Sequence, residues 1–172
     1  HSDNIFMNPY FFAKVEKLYN DMDNLGLTQE QKMTLKKLYN SFVKNGIALG
    51  EAEQARMREI NMELSSLSNT FGNNLLAENN AFAEEFGVTI SEYAGAMATT
   101  EDRTLREKMF KAYSSRGNNG NENDNKELIM KMMALRVEKA KLLGYDNPAQ
   151  MILADKMAGT PEAVDVFLAD IM

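Results

Sequence analysis

Two stretches of this sequence carry enough side-chain oxygen to suggest a bound cation. One runs Asn118-Asn119-Gly120-Asn121-Glu122-Asn123-Asp124-Asn125, and the other is Asp21-Met22-Asp23-Asn24-Leu25-Gly26. A calcium loop of the EF-hand kind needs acidic or amide groups at its first, third and fifth positions, glycine at the sixth and a bidentate Glu at the twelfth. No frame through the first stretch meets that pattern. The second starts better but puts Leu25 at the fifth position and Lys32 at the twelfth. Turn formation and helix capping are the better reading of both, since Asn, Asp and Gly favour turns through local hydrogen bonds. The neighbouring carboxylates Glu84 and Glu85, and the pair Glu51 and Glu53, lack a motif that would set their separation or split their pKa values for acid–base work. Solvated surface charge accounts for them.

The absences narrow the chemistry further. There is no Cys, no Trp, and a single His at position 1. A thiol nucleophile, a disulfide framework and a thiolate metal site are excluded, and imidazole chemistry would rest on a terminal residue expected to fray. Among the thirteen Met residues, Met130, Met132 and Met133 resemble the adaptable surfaces of some binding proteins, but helical apolar spacing favours core filling for most of them. Tyr113 and Tyr145 could line a groove, though a core or interface position with a satisfied hydroxyl is the commoner role.

The elements that must position these residues read as helical almost throughout. Asn8 caps a first helix with Pro9 at the position where a missing N–H costs nothing. Thr28 and Gln31 form a capping box that opens a second helix, carrying Met33, Leu35, Leu38, Phe42 and Val43 and stopping at Asn45-Gly46. Two antiparallel helices are implied. From Glu51 to about Ala81 an apolar stripe predicts the longest helix, with a bend or interruption expected near Asn69 to Asn74 around Gly72. Residues 83–99 are ambiguous between a short strand at Val88-Thr89-Ile90 and a helical turn over Ser91 to Met97. Thr100 or Thr104 is expected to cap the next helix, ending near Arg116-Gly117. Lys126 to Leu143 is expected to form a strongly amphipathic helix closed by Gly144, Asn147-Pro148 starts one through Met157, and Thr160-Pro161 starts a last one into Met172. The fold class is all-α, with about seven helices and one short strand at most. The chain divides into a helical segment over 1–82, a connector over 83–99 and a second helical segment over 100–172.

With 172 residues, 44% hydrophobic against 26% charged, the composition is that of a globular chain with one core, neither disordered nor membrane-spanning. The net charge of −6 argues against nucleic acid as a partner, and no apolar run approaches a membrane span. The lack of thiols leaves the compartment open between bacterial cytoplasm and periplasm. A start at His1 without an initiator Met, and a last helix with no closing cap, lead us to expect a piece of something longer.

Three stretches, taken in order, resemble one family. They are Leu64 to Phe82 (LSSLSNTFGNNLLAENNAF), Asp102 to Tyr113 (DRTLREKMFKAY) continuing through Ser115-Arg116-Gly117 to Asn123-Asp124-Asn125-Lys126, and Leu135 to Tyr145 (LRVEKAKLLGY) followed by Met157 to Val164 (MAGTPEAV). Together they resemble the region upstream of the active site in the thimet-oligopeptidase-like zinc metallopeptidases, most closely the peptidyl-dipeptidase branch. The resemblance implies a mostly helical, two-lobed enzyme around a deep channel that cleaves short peptides, this branch removing C-terminal dipeptides. The family's zinc site is an H-E-x-x-H helix plus a further Glu, and this sequence contains no such motif. The expectation is therefore that zinc belongs to the parent protein, that none is bound by this chain, and that the chain supplies no catalytic, cofactor-binding or metal-binding residue. Its expected partners are short peptide substrates, the missing catalytic lobe and, through an exposed apolar surface, a second copy. The alternative is a stand-alone helical interaction domain, and a metal-free pseudo-enzyme is a third reading. Members of the family carry a longer insert between the positions of Phe82 and Glu101, so either this branch is shortened there or residues are missing between Phe82 and Ala83; the second is the expectation.

Overall fold

The computed structural model describes residues 5–172, so His1 lies outside the described residues. Among the described residues it has eight named helices and no strand: α1 Pro9–Asn20, α2 Gln29–Lys44, α3 Glu51–Phe86, α4 Tyr93–Thr99, α5 Arg103–Ser114, α6 Lys126–Leu142, α7 Pro148–Leu153 and α8 Pro161–Ile171. The all-α class read from the pattern holds.

Local chemistry starts most of these helices. Asn8 Oδ1 accepts from the backbone N–H groups of Tyr10 and Phe11 at 3.0 and 3.1 Å, satisfying two donors that the first turn leaves without partners. The capping box at α2 is complete, with Gln31 N donating to Thr28 Oγ1 and Thr28 N to Gln31 Oε1. Asn147 and Thr160 cap α7 and α8, each followed by proline at the first helical position. The start of α5 differs from expectation: Asp102, and neither Thr100 nor Thr104, is the cap, its carboxylate accepting from Thr104 N at 2.8 Å and Leu105 N at 3.3 Å. Thr100 instead closes α4, and its carbonyl accepts from Arg106.

Residues 83–99 settle into helix on both sides of a turn. α3 passes through Phe82 and Ala83 as one helix, Gly87 N donating to Ala83 O at 2.9 Å. It is also uninterrupted across 69–74, where Gly72 simply stays helical and Thr70 Oγ1 bonds back to Ser66 O. The strand option at Val88-Thr89-Ile90 falls because Glu92 captures this segment locally, its Oε2 accepting from both Thr89 N and Thr89 Oγ1 at 2.8 Å.

The chain forms two compact units, one running to Met62 and resuming at Leu135–Met172, the other spanning Glu63–Ala134. In the first, Val15, Phe42 and Ile47 are buried with Phe6, Phe12, Leu35, Leu38 and Tyr39 around them. Phe42 meets Phe6, Phe11 and Phe12 at centroid distances of 5.2, 5.4 and 5.7 Å, within the range where aromatic pairs attract. Phe12 also stacks on Tyr39, and Tyr19 lies flat on Tyr39 at 4.0 Å, so ascent along α1 matches descent along α2 and the pair is antiparallel. Met57, Ile60 and Ala140 are fully buried in the same unit, and Arg56 grips Glu138 through two hydrogen bonds of 2.6 and 2.8 Å. In the second unit Phe82 and Met109 are the buried apolar residues, joined by two buried polar ones, Glu78 and Asn125.

Core filling describes only some of the methionines. Met7, Met57 and Met109 are buried, whereas Met33, Met62, Met130, Met133, Met157 and Met172 are exposed. On α6 the apolar residues Ile129, Met130, Met133 and Leu135 surround the helix, so no single face can bury them all.

Candidate functional site

The two oxygen-rich stretches are hydrogen-bonded turns. In the first unit Asn24 Nδ2 donates to Asp21 Oδ1 at 2.8 Å, Gly26 turns the chain with φ +62°, and Lys32 Nζ sits 2.6 Å from Asp23 Oδ1. The ammonium from the twelfth position thus stands where a cation would have to bind. It holds the Asp23 carboxyl below its ordinary pKa, first by its hydrogen bond and then by its charge.

In the second unit, the loop between α5 and α6 is pinned from inside. Gly117 adopts φ +70°, a conformation open to glycine at little cost, and its carbonyl accepts from Asn125 N at 2.7 Å. Asn125, 2% exposed, accepts from Asn74 Nδ2 at 3.0 Å and donates through Nδ2 to Phe71 O at 3.3 Å. Asn119 and Asn121 donate their amides to the two oxygens of Glu78 at 2.6 and 2.7 Å. Glu78 is only 8% exposed, and these neutral donors replace the water it has lost. Asp124 accepts from Gly120 N and from Lys126 N. The backbone N–H of Lys126 is the main reason its pKa lies below the ordinary value. A shallow open cavity of about 510 Å³ beside this loop is lined by Thr70, Asn74, Asn121, Glu122, Asp124 and Lys126, among others. It can hold a ligand by hydrogen bonds, but no nucleophile stands beside a base in it.

Tyr113 belongs to an aromatic cluster. Tyr93 stacks on it at 3.9 Å with 9° between the planes, Phe82 meets both edge-on, and the Arg116 guanidinium lies 4.1 Å above its ring. Arg116 is fixed there by donating from Nε to Tyr113 O and from a terminal nitrogen to Asn79 Oδ1. Tyr145 is partly buried and its backbone N–H closes α6 on Ala140 O at 2.9 Å. Glu51 and Glu53 lie exposed in the first turn of α3, where Glu53 accepts from Gly50 N at 3.1 Å and carboxylates suit the helix dipole. Glu84 and Glu85 are exposed. Among the described residues no group of three or more His, Cys, Asp or Glu is placed to hold a metal ion, and none of their helices is long and apolar enough to cross a membrane.

Sequence reasoning missed the Glu78 clasp and the Tyr93–Tyr113 stack. The only signal for the first was a charged residue inside an otherwise uncharged helical stretch, Leu64 to Phe82.

Comparison with known proteins supplies what the geometry does not. Residues 96–172 match Peptidase family M3. The chain is 28% identical to the dipeptidyl carboxypeptidase of Escherichia coli over 203 residues, covering 99% of this chain, with the same identity and coverage for that of Salmonella typhimurium. Oligopeptidase A of Haemophilus influenzae is 34% identical over 80% of the chain. The matched region of 203 residues exceeds the 172 of this chain, so at least 31 of those positions have no counterpart here. The chain spans 30% of the length of the two dipeptidyl carboxypeptidases. On these matches the chain belongs to Peptidase family M3.

Proposed function

We propose that this chain is part of a zinc-dependent peptidyl-dipeptidase acting on short peptides, to which it contributes channel-wall helices and no catalytic residue. The observation that carries this reading is the similarity over 99% of the chain to proteins described as dipeptidyl carboxypeptidases. Zinc is proposed for the whole enzyme only. The residues described here do not fit the ion, since no three suitable donors converge and catalytic zinc takes three protein ligands plus water. No step of the reaction is assigned to this chain. The surrounding lobe is the proposed partner, and α8 supports it: Val166, Phe167, Leu168 and Ile171 are each exposed by 46% or more, an apolar face that a helix normally covers.

A second reading, a helical interaction domain, draws support from the exposed Ile129, Met130 and Met133 on α6, because methionine adapts to varied apolar partners.

The chain alone and a chimera carrying it in place of the matched stretch of the Escherichia coli enzyme would be given a short peptide with a free C-terminus. The chimera is expected to release C-terminal dipeptides until a chelator is added, and the isolated chain to release none. Chelator-sensitive release by the chain alone would overturn the assignment. So would a folded, zinc-loaded chimera that cuts only at internal bonds.

A further inference from the structure

We propose that Asn119-Gly120 is a self-locking modification site: the closed loop protects this Asn-Gly pair from deamidation, and once the pair converts, the new carboxylate keeps the loop from closing again. Deamidation begins when the backbone nitrogen after an asparagine loses its proton and attacks the side-chain Cγ. Glycine in that place offers no side chain to hinder the approach. The Cγ–N bond breaks, ammonia leaves, and a five-membered succinimide remains. Water then opens either carbonyl, giving aspartate or isoaspartate, so that one water enters, one ammonia departs and the chain gains about 1 Da.

Both reacting groups are held in the fold. Asn119 Nδ2 donates to Glu78 Oε2 at 2.6 Å, and Gly120 N donates to Asp124 Oδ2 at 2.7 Å. Ionising that nitrogen would place a negative charge against the Asp124 carboxylate, which disfavours the attacking anion. Opening the loop removes the obstacle. Conversion then changes the partner of Glu78 from a neutral donor into a like charge. Glu78 is 8% exposed, and its hydrogen bonds come from Asn119 and Asn121; Asn119 itself is exposed, so solvent screens the repulsion from one side while the buried Glu78 carboxylate can only escape it by the loop moving away. The second Asn-Gly pair, Asn45-Gly46, provides an internal comparison. Asn45 Nδ2 donates to Ser41 O at 2.8 Å and Gly46 N to Val43 O at 2.9 Å, so neutral carbonyls stand where the carboxylates stand at Asn119.

The full 172-residue chain would be incubated in mildly alkaline buffer, with peptide mapping for aspartate and isoaspartate and with hydrogen exchange read over residues 117–125. Asp124→Ala, which frees Gly120 N, is expected to speed conversion of Asn119 about tenfold through easier local opening and to leave Asn45 unchanged. Asp124→Asn, which keeps an acceptor for Lys126 N, guards against a general loosening of the α6 start and should also speed Asn119 selectively. Asn119→Asp is expected to accelerate exchange at Gly120 and Asn121, and adding Glu78→Gln should slow it again because the like charge is gone. Equal conversion of Asn119 in the native, Asp124→Ala and Asp124→Asn chains would overturn the proposal. So would fast exchange in Asn119→Asp that Glu78→Gln fails to slow.

Discussion

Replacing Asn125 tests the polar core of the second unit. Its side chain makes two hydrogen bonds, accepting from Asn74 and donating to the Phe71 carbonyl, while 2% exposed. Alanine removes both, and at about 0.5–1.5 kcal/mol per bond the loss comes to about 1–3 kcal/mol. Aspartate keeps the acceptor for Asn74 but turns the other oxygen toward the Phe71 carbonyl and brings a charge into a buried site. Its cost should exceed that of alanine, reaching about 3 kcal/mol or more. Against a typical total of about 5–15 kcal/mol the effect is readily measured by urea unfolding followed by circular dichroism. The aspartate variant also carries a pH signature. Burial raises its folded pKa above the unfolded value of about 3.9, so its deficit relative to the native chain should be smallest below that pH and grow as pH rises through the folded pKa. An Asn125→Asp chain as stable at neutral pH as the native one, or a deficit flat with pH, would refute the reasoning.

Phe42→Ala removes a fully buried ring with three aromatic neighbours and should cost about 3–5 kcal/mol in the same unfolding assay; a loss below about 1 kcal/mol would mean that the site collapses around the gap. Asp102→Ala should cost about 1 kcal/mol as a lost cap, with Thr104→Ala changing stability by less than half of that, and the reverse order would contradict the cap geometry. Carboxyl titration by NMR should place Asp23 below its ordinary pKa because Lys32 donates to it, and Lys32→Gln should abolish the shift. The sign follows: this depressed group supports folding above the unfolded pKa and loses that contribution as pH falls through the folded one.

Much of the helical scaffold is written locally. Asn8-Pro9, Thr28 with Gln31, Asn147-Pro148 and Thr160-Pro161 start helices where the sequence places them, because a cap completes its hydrogen bonds within three residues. The stops at Gly46 and Gly144, with φ of +90° and +80°, are legible for the same reason. At α5 the local code was ambiguous, since Thr100, Asp102 and Thr104 can all cap, and the turn that α4 closes at Thr100 left Asp102 in position. The family, too, was carried by residues in order along the chain, independent of how they pack.

Other features depended on which faces meet. Glu78 receives amides from 41 and 43 residues away, and Tyr93 stacks on Tyr113 across a turn and two helix ends. Neither pairing leaves a periodic trace. Apolar spacing marks a methionine as able to be buried, but whether it is depends on the surface that arrives opposite, so Met57 and Met109 are enclosed while Met130 and Met133 stay in solvent. Short-range hydrogen bonds belong to the sequence because the covalent chain holds both partners close; long-range ones exist only after the helices have docked.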